Sequence, residues 1–509
     1  MSCILIFKLI QNTIKSNMKN QMKSHFGKLA LVAAVIALAS CGKEKSSVTG
    51  WEYNNPKNGG FEVVPYEEQE TGPGLVLVEG GTFSMGRTEQ DVMIDWDNIP
   101  RRVTVSSFYL DETEIANVHY LEYLYWLNRV FGADYPEVYK KALPDTLVWR
   151  DKLAYNEPLV ELYLRHPAYQ QYPVVGVNWL QATDFCAWRT DRVNEIILIR
   201  EGILKTNYSQ VNEDNFNTDA YLSGQYEGMV KNDVEDLNPS GKGTRKVRME
   251  DGILLPRYEL PTEAQWEYAA LGLIGNTEFE RVYDRRQYPW NGHIVRNADE
   301  KYKGQMMGNF KRGKGDNMGV AGYLNDNADI PAPVHSYWPN DYGLYNMAGN
   351  VSEWVKDVYR PLSPEDVTDF NPFRGTVFKT QERDDEGAIA EKDSLGRIKM
   401  RNVTEAENIN RRNYTKADNI NYLDGSINES TKDSSDIKYE YGKTSMLDDK
   451  AHIYKGGSWK DRAYWMSPGT RRFLDEKQST NYLGFRCYMV RVGSPVGLGT
   501  KPRTKIAKK

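Results

Sequence analysis

Thiols are the scarcest reactive groups in this sequence, and their placement limits the chemistry open to it. Of four cysteines in 509 residues, Cys3 and Cys41 sit near the amino terminus, and Cys186 and Cys487 stand alone in the body of the chain. No cysteine lies between those two, so no neighbouring thiolates can bind a soft ion such as Cu(I). The six histidines, His25, His119, His166, His293, His335 and His452, show neither HxH nor HxxxH spacing for a transition metal. Neither a nucleophile elbow nor a phosphate-binding glycine loop occurs. The acidic pairs Asp384-Asp385 and Asp448-Asp449 fall in or beside a polar stretch and read as solvated charge.

The amino terminus suggests where the remaining thiols reside. Lys19, Lys23 and Lys28 precede an uncharged run at 29–39, followed by Ser40 and Cys41. A basic region, a short apolar region and small residues describe a secretory signal, too short to span a bilayer. Residues 38–41 (LASC) resemble a bacterial lipobox, whose cysteine is lipidated and heads the mature protein. Residues 1–40 therefore read as a lipoprotein signal peptide and 41–71 as a polar tether, with docking points near Trp51 and Phe61. A start at Met18 or Met22 would suit the signal better than Met1. Cys186 and Cys487 then remain in a compartment where disulfides persist, although spacing alone does not decide whether they bond.

The elements that must position these residues are partly legible. Leu75 to Val78 reads as a strand ending in Gly80-Gly81, and Val103 to Leu110 alternates like a second. A helix follows Thr113, with Val118, Leu121, Leu124 and Tyr125 on one face. Asn178 with Gln181 and Thr262 with Gln265 form capping boxes that open two more helices. The first of these carries Ala182, Phe185, Cys186 and Trp188; the second carries Trp266, Tyr268, Ala269 and Ala270. Residues 190–255 and 361–450 are polar and Asn-rich and read as insertions. Residues 493–509 form a basic tail. A net charge of −5 argues against a nucleic-acid binder, and 33 tyrosines and 12 tryptophans point to an aromatic core.

Seven strings, in order, resemble the formylglycine-generating-enzyme (sulfatase-modifying factor) family. They are residues 80–86 (GGTFSMG), 172–179 (YPVVGVNW), 260–267 (LPTEAQWE), 288–290 (YPW), 343–354 (GLYNMAGNVSEW), 456–459 (GGSW) and 484–487 (GFRC). The resemblance covers residues 72–492 apart from the two insertions. It implies an α+β, loop-rich fold that is a variant of the C-type-lectin-like fold. It also implies a disulfide between Cys186 and Cys487, constraining the unfolded chain by on the order of 4–5 kcal/mol; two buried reduced thiols are the alternative. One structural Ca²⁺ site would match Asn346, the Gly349 and Val351 carbonyls and Glu353, oxygen donors that suit a hard cation. A second would match Asn309, the Phe310 carbonyl, Asp326 and the Ala328 carbonyl, where the local sequence departs from the family. The two cysteines with which the family's enzymes bind copper fall at Asp461 and Met466, so the resemblance implies a pseudoenzyme without copper.

Four further strings, at 49–51 (TGW), 55–61 (NPKNGGF), 143–150 (LPDTLVWR) and 165–169 (RHPAY), resemble gliding-motility lipoproteins of the Bacteroidota, the group holding the GldJ and GldK types. That resemblance implies a non-catalytic scaffold of the type IX secretion and gliding machinery, anchored in the outer membrane on its periplasmic face. Expected partners are other lipoproteins and envelope proteins of the GldK-like and GldN-like kinds. A lectin-like protein gripping glycan or peptidoglycan is one alternative, and an enzyme with altered chemistry is another.

Overall fold

The computed structural model describes residues 44–493 except 88–92, 94–96, 242, 273–285, 291–292, 313–327, 361–369, 371, 405, 408–446 and 448. Cys41 and most of the basic tail lie outside the described residues. The chain divides into two compact units, one of residues 44–65 with 233–245 and one of 66–232 with 246–493. Among the described residues no helix is long and apolar enough to cross a membrane.

In the smaller unit, Lys45 and Glu52 form an antiparallel bridge closed by a tight turn. The Ser46 carbonyl accepts from the Gly50 amide at 2.9 Å, and Gly50 adopts a left-handed φ of 76°. The Asn54 side chain exchanges two hydrogen bonds with the Val63 backbone, at 2.8 and 2.9 Å. Glu62 accepts from the Leu237 amide and from Arg245 Nε, tying the two stretches together. Trp51 and Phe61 are both exposed.

The larger unit mixes sheets and helices. Its strands used below are β1 (Leu75–Val78), β2 (Gly81–Met85), β3 (Arg101–Val105), β4 (Phe108–Asp111), β5 (Tyr258–Glu259), β6 (Ser352–Val358), β7 (Ala451–Lys455), β8 (Arg472–Asp475), β9 (Leu483–Gly484) and β10 (Tyr488–Val490). One antiparallel sheet has the order β1-β4-β10-β5, placing the last strand between early ones. A second has the order β8-β7-β6-β9, with β9 parallel to β6, and β2 pairs with β3.

The helices are α1 (Asn117–Phe131), α2 (Trp179–Arg200) and α3 (Glu263–Leu271). Both expected capping boxes form: Asn178 and Thr262 each accept from the amide three residues on, and Gln181 and Gln265 reach back. The buried face of α1 differs from the expected one. It is Tyr120, Tyr123, Leu124, Leu127 and Val130, while Leu121 is half-buried and Tyr125 exposed. Packing chose this face: the Tyr120 ring stacks on Phe185 of α2 at 5.7 Å and meets Phe485 edge-on. Burying a ring such as Phe185 contributes about 1.5–3 kcal/mol, more than any local preference of an exposed tyrosine.

The described parts of the two polar stretches pack on one another. Phe216, Tyr221 and Tyr226 form a buried aromatic cluster. Beside it, Gln225 donates to the Ile389 and Ala390 carbonyls and accepts from the Lys392 amide. Asp449, read from sequence as solvated, instead pairs with Arg360, whose side chain is only 1% exposed; a buried guanidinium demands a charged partner.

Candidate functional site

The GGSW string continues from β7 into a tight loop. Gly456 and Gly457 adopt φ of 97° and 67°, and a Cβ on Gly456 would sit 3.0 Å from the Trp266 ring. Beyond the turn, Ser458 Oγ donates to Asp461 Oδ2 at 2.5 Å. Arg472 of β8 then grips Asp461 with both guanidinium arms, at 2.7 and 2.8 Å, and donates to Ser352 Oγ at 2.9 Å. Its guanidinium stacks between Tyr454 and Trp465, at 4.8 and 4.7 Å from their ring centres. Met466 is fully buried with Tyr288, Met306, Phe310 and Ala348. Asp461 and Met466 are thus an ion-pair partner and a packing residue.

The 343–354 loop crosses beside this turn, and Asn346, Gly349 and Asn350 all take positive φ there. A Cβ on Gly349 would meet the Asn309 carbonyl at 2.5 Å. The Asn346 and Asn350 amides converge on Glu114, at 2.8 and 2.9 Å. Asn350 Oδ1 also accepts from the Ala332 amide at 2.7 Å and from Asn309 Nδ2 at 3.4 Å. Glu114 is 1% exposed. Burial pushes its carboxyl up to about 8, opposed by Arg486 and reinforced by Glu353. Glu114 was not singled out by sequence, because its role depends on side chains more than 200 positions away.

Of the residues matched to calcium, the first set, Asn346, Gly349, Val351 and Glu353, lies along this loop, and its one carboxylate is already engaged. Arg486 covers both Glu353 oxygens at 2.6 Å, and Trp266 Nε1 donates to one of them at 2.7 Å. A guanidinium already neutralises the carboxylate that a dication would need. In the second set, Asn309 donates to the Ile330 carbonyl, Phe310 and Ala328 are buried, and Asp326 lies outside the described residues. Among the described residues, no group of three or more His, Cys, Asp or Glu side chains could hold a metal ion.

A further buried charge network underlies α3. Lys455 Nζ bridges Glu263 and Glu267 at 3.2 and 3.1 Å, and Arg471 Nε reaches Glu263 at 2.8 Å. Burial alone would raise the Glu263 carboxyl, but Arg471, Lys455 and Arg101 bring it to about 2. Asp357, which accepts from the Glu263 amide, is pushed up to about 7 by burial and by Glu263. Cys186 and Cys487 meet in the core with sulfurs 3.3 Å apart and both thiols free. Burial, with the neighbouring Cys487, pushes the Cys186 thiol up, so as a thiol it is a poor nucleophile.

The strings that build this turn-and-loop site span nearly the whole larger unit. The family model for the sulfatase-modifying factor enzyme 1-like domain matches residues 60–490. The chain belongs to this family. The formylglycine-generating enzyme of Mus musculus is 24% identical over 316 residues, which cover 58% of this chain and 61% of that enzyme. The inactive C-alpha-formylglycine-generating enzyme 2 of Bos taurus is 24% identical over 307 residues, covering 56% of this chain and 71% of the relative. The structure of PvdO from Pseudomonas aeruginosa aligns over 82% of this chain and 94% of that one, at 14% identity and a TM-score of 0.40. The family therefore holds both enzymes and members described as inactive, and the match spans about three fifths of the mouse enzyme's length.

Proposed function

We propose that this protein is a non-catalytic member of its family, a lipid-anchored scaffold of the type IX secretion and gliding machinery. One observation carries the non-catalytic part. The positions that the family resemblance matches to copper-binding cysteines hold the Asp461–Arg472 ion pair and the sealed Met466. Neither a paired carboxylate nor a buried thioether replaces two open thiolates at Cu(I). The scaffold part rests on the GldJ-type strings and on the Cys41 lipobox, with GldK-like and GldN-like envelope proteins as partners and the periplasmic face of the outer membrane as location. The loop-rich, C-type-lectin-like description and the copper-free state belong to the same reading.

The test is a strain lacking the gene and complemented with an Asp461→Asn/Met466→Leu double variant, which keeps the size of both side chains while removing the Asp461 charge and the thioether. Deletion should abolish secretion or gliding, and the double variant, at wild-type protein levels, should restore both. Loss of function in that variant, or stoichiometric copper with oxidation of a cysteinyl peptide by the wild type, would falsify the proposal.

A specific cleft favours a second reading, glycan binding. It encloses about 840 Å³ and is lined by Asn156, Tyr169, Tyr172, Gln305, Tyr337 and Trp338, aromatic faces and polar groups suited to a sugar ring. Met306 lines it and also packs in the same cluster as Met466. Retention on purified sacculi, lost in a Trp338→Ala variant, would favour this reading over the scaffold.

A further inference from the structure

We propose that Val48, Trp51 and Phe61 of the amino-terminal unit form a face that lies on the bilayer to which Cys41 anchors the chain. This rests on the lipid-anchor reading given under Proposed function. The side chains are conspicuous for their exposure: Val48 is 91% exposed, Phe61 67% and Trp51 60%. So open a group of apolar side chains marks a contact surface.

Local geometry gathers Trp51 and Phe61, and Val48 stands in the adjoining turn, closed by the Ser46–Gly50 hydrogen bond. Trp51 and Tyr53 flank Glu52, the bridge partner of Lys45, so in extended backbone they leave on the side opposite Glu52. The Phe61 ring lies 5.8 Å from that of Tyr53, which adds it to the same side.

Chain length selects the occupant. Only residues 42 and 43 separate Cys41 from Glu44, and three residue steps reach about 10 Å at most. An acylated Cys41 therefore keeps this unit within reach of the headgroups, where tryptophan's amphipathic ring is at home. The unit's acidic residues outnumber its basic ones, so attraction to anionic lipid does not hold it there. The contact is apolar and should be indifferent to salt.

Photo-crosslinking of the full acylated chain tests this, with p-benzoylphenylalanine in place of Trp51. In phosphatidylethanolamine–phosphatidylglycerol vesicles the label should give a phospholipid adduct, in equal yield at low and high salt. In a second measurement, the non-acylated Cys41→Ser chain should sediment with the same vesicles about tenfold less when Val48→Ser, Trp51→Ser and Phe61→Ser are combined. Absence of the lipid adduct, adducts to protein alone in intact cells, or unchanged sedimentation would overturn the proposal. Palmitate labelling of wild-type and Cys41→Ser chains reads the anchor separately. Labelled chain without lipid adduct condemns this face alone, whereas unlabelled wild type overturns the anchor and the face together.

Discussion

Arg486 lies across both carboxylate oxygens of Glu353 at 2.6 Å, and neither side chain is more than 1% exposed. The pair fastens the end of β9 to β6, whose register sets Gly484 opposite Glu353. Arg486 also donates to the Asp111 and Tyr345 carbonyls, so one side chain joins the carboxy-terminal string to β4 and to the 343–354 loop.

Breaking this pair from one side should be costly. Arg486→Leu leaves Glu353 buried and unpaired and should lose on the order of 3–5 kcal/mol in urea unfolding. The Glu353→Leu/Arg486→Leu double variant should lose less than Arg486→Leu alone, because no charge is left stranded. A double variant as unstable as the sum of the two singles would mean the pair is not a coupled unit.

Glu114 sets a pH dependence with a defined sign. Its folded carboxyl titrates near 8, raised by burial from an ordinary value of 4.5. The folded form therefore holds its proton while the unfolded form releases it, so this stability is complete below pH 4.5 and is lost as pH rises toward 8. Asp357, at about 7, adds the same sign, whereas Glu263, at about 2, contributes stability lost only as pH falls from 4.5 toward 2. Denaturant titrations from pH 5 to 8 should show a shallower decline in Glu114→Gln than in wild type; identical slopes would exclude Glu114 as the source.

The core thiols predict an outcome set by compartment. With sulfurs 3.3 Å apart, Cys186 and Cys487 need little rearrangement to join once oxidised. Under the envelope location proposed above, chain recovered from that compartment without reductant should weigh two hydrogens less than reduced chain and should melt higher. A Cys487→Ala variant should melt at the same temperature with and without reductant. Free thiols in both residues of the envelope form would show that burial protects them instead.

Gln225 makes three of the hydrogen bonds between the two polar stretches, beside those of Asn215 to the Leu395 carbonyl and Lys392 to the Glu213 carbonyl. Gln225→Ala removes three hydrogen bonds and leaves two carbonyls and an amide to find new partners. The loss should be about 1–3 kcal/mol, felt locally. Limited proteolysis should then cut residues 372–404 faster while Trp354 and the main core stay protected. Cutting that is unchanged would show that the aromatic cluster around Phe216 holds the contact without it.

Several of these relationships were invisible in the sequence for one reason, the distance along the chain between partners. Glu114 meets Asn346 and Asn350 across more than 200 positions, and Arg360 meets Asp449 across 89. Asp449 reads as solvated charge, and Glu114 is not singled out at all, until the chain is folded. The α1 face shows the same limit on a smaller scale: period 3.6 allowed either Tyr125 or Tyr123 inward, and Phe185 on another helix decided it.

What the sequence determined by itself was local or cumulative. Capping boxes at Asn178 and Thr262 need only residues three apart, glycines at 349 and 456 mark turns through their positive φ, and the ordered strings identify the family. Tertiary structure alone decided which buried charges are neutralised by which partners, and that two stretches read as separate insertions pack together. Short-range rules act through a few covalent bonds, whereas a buried charge is settled by whichever opposite charge the fold carries to it.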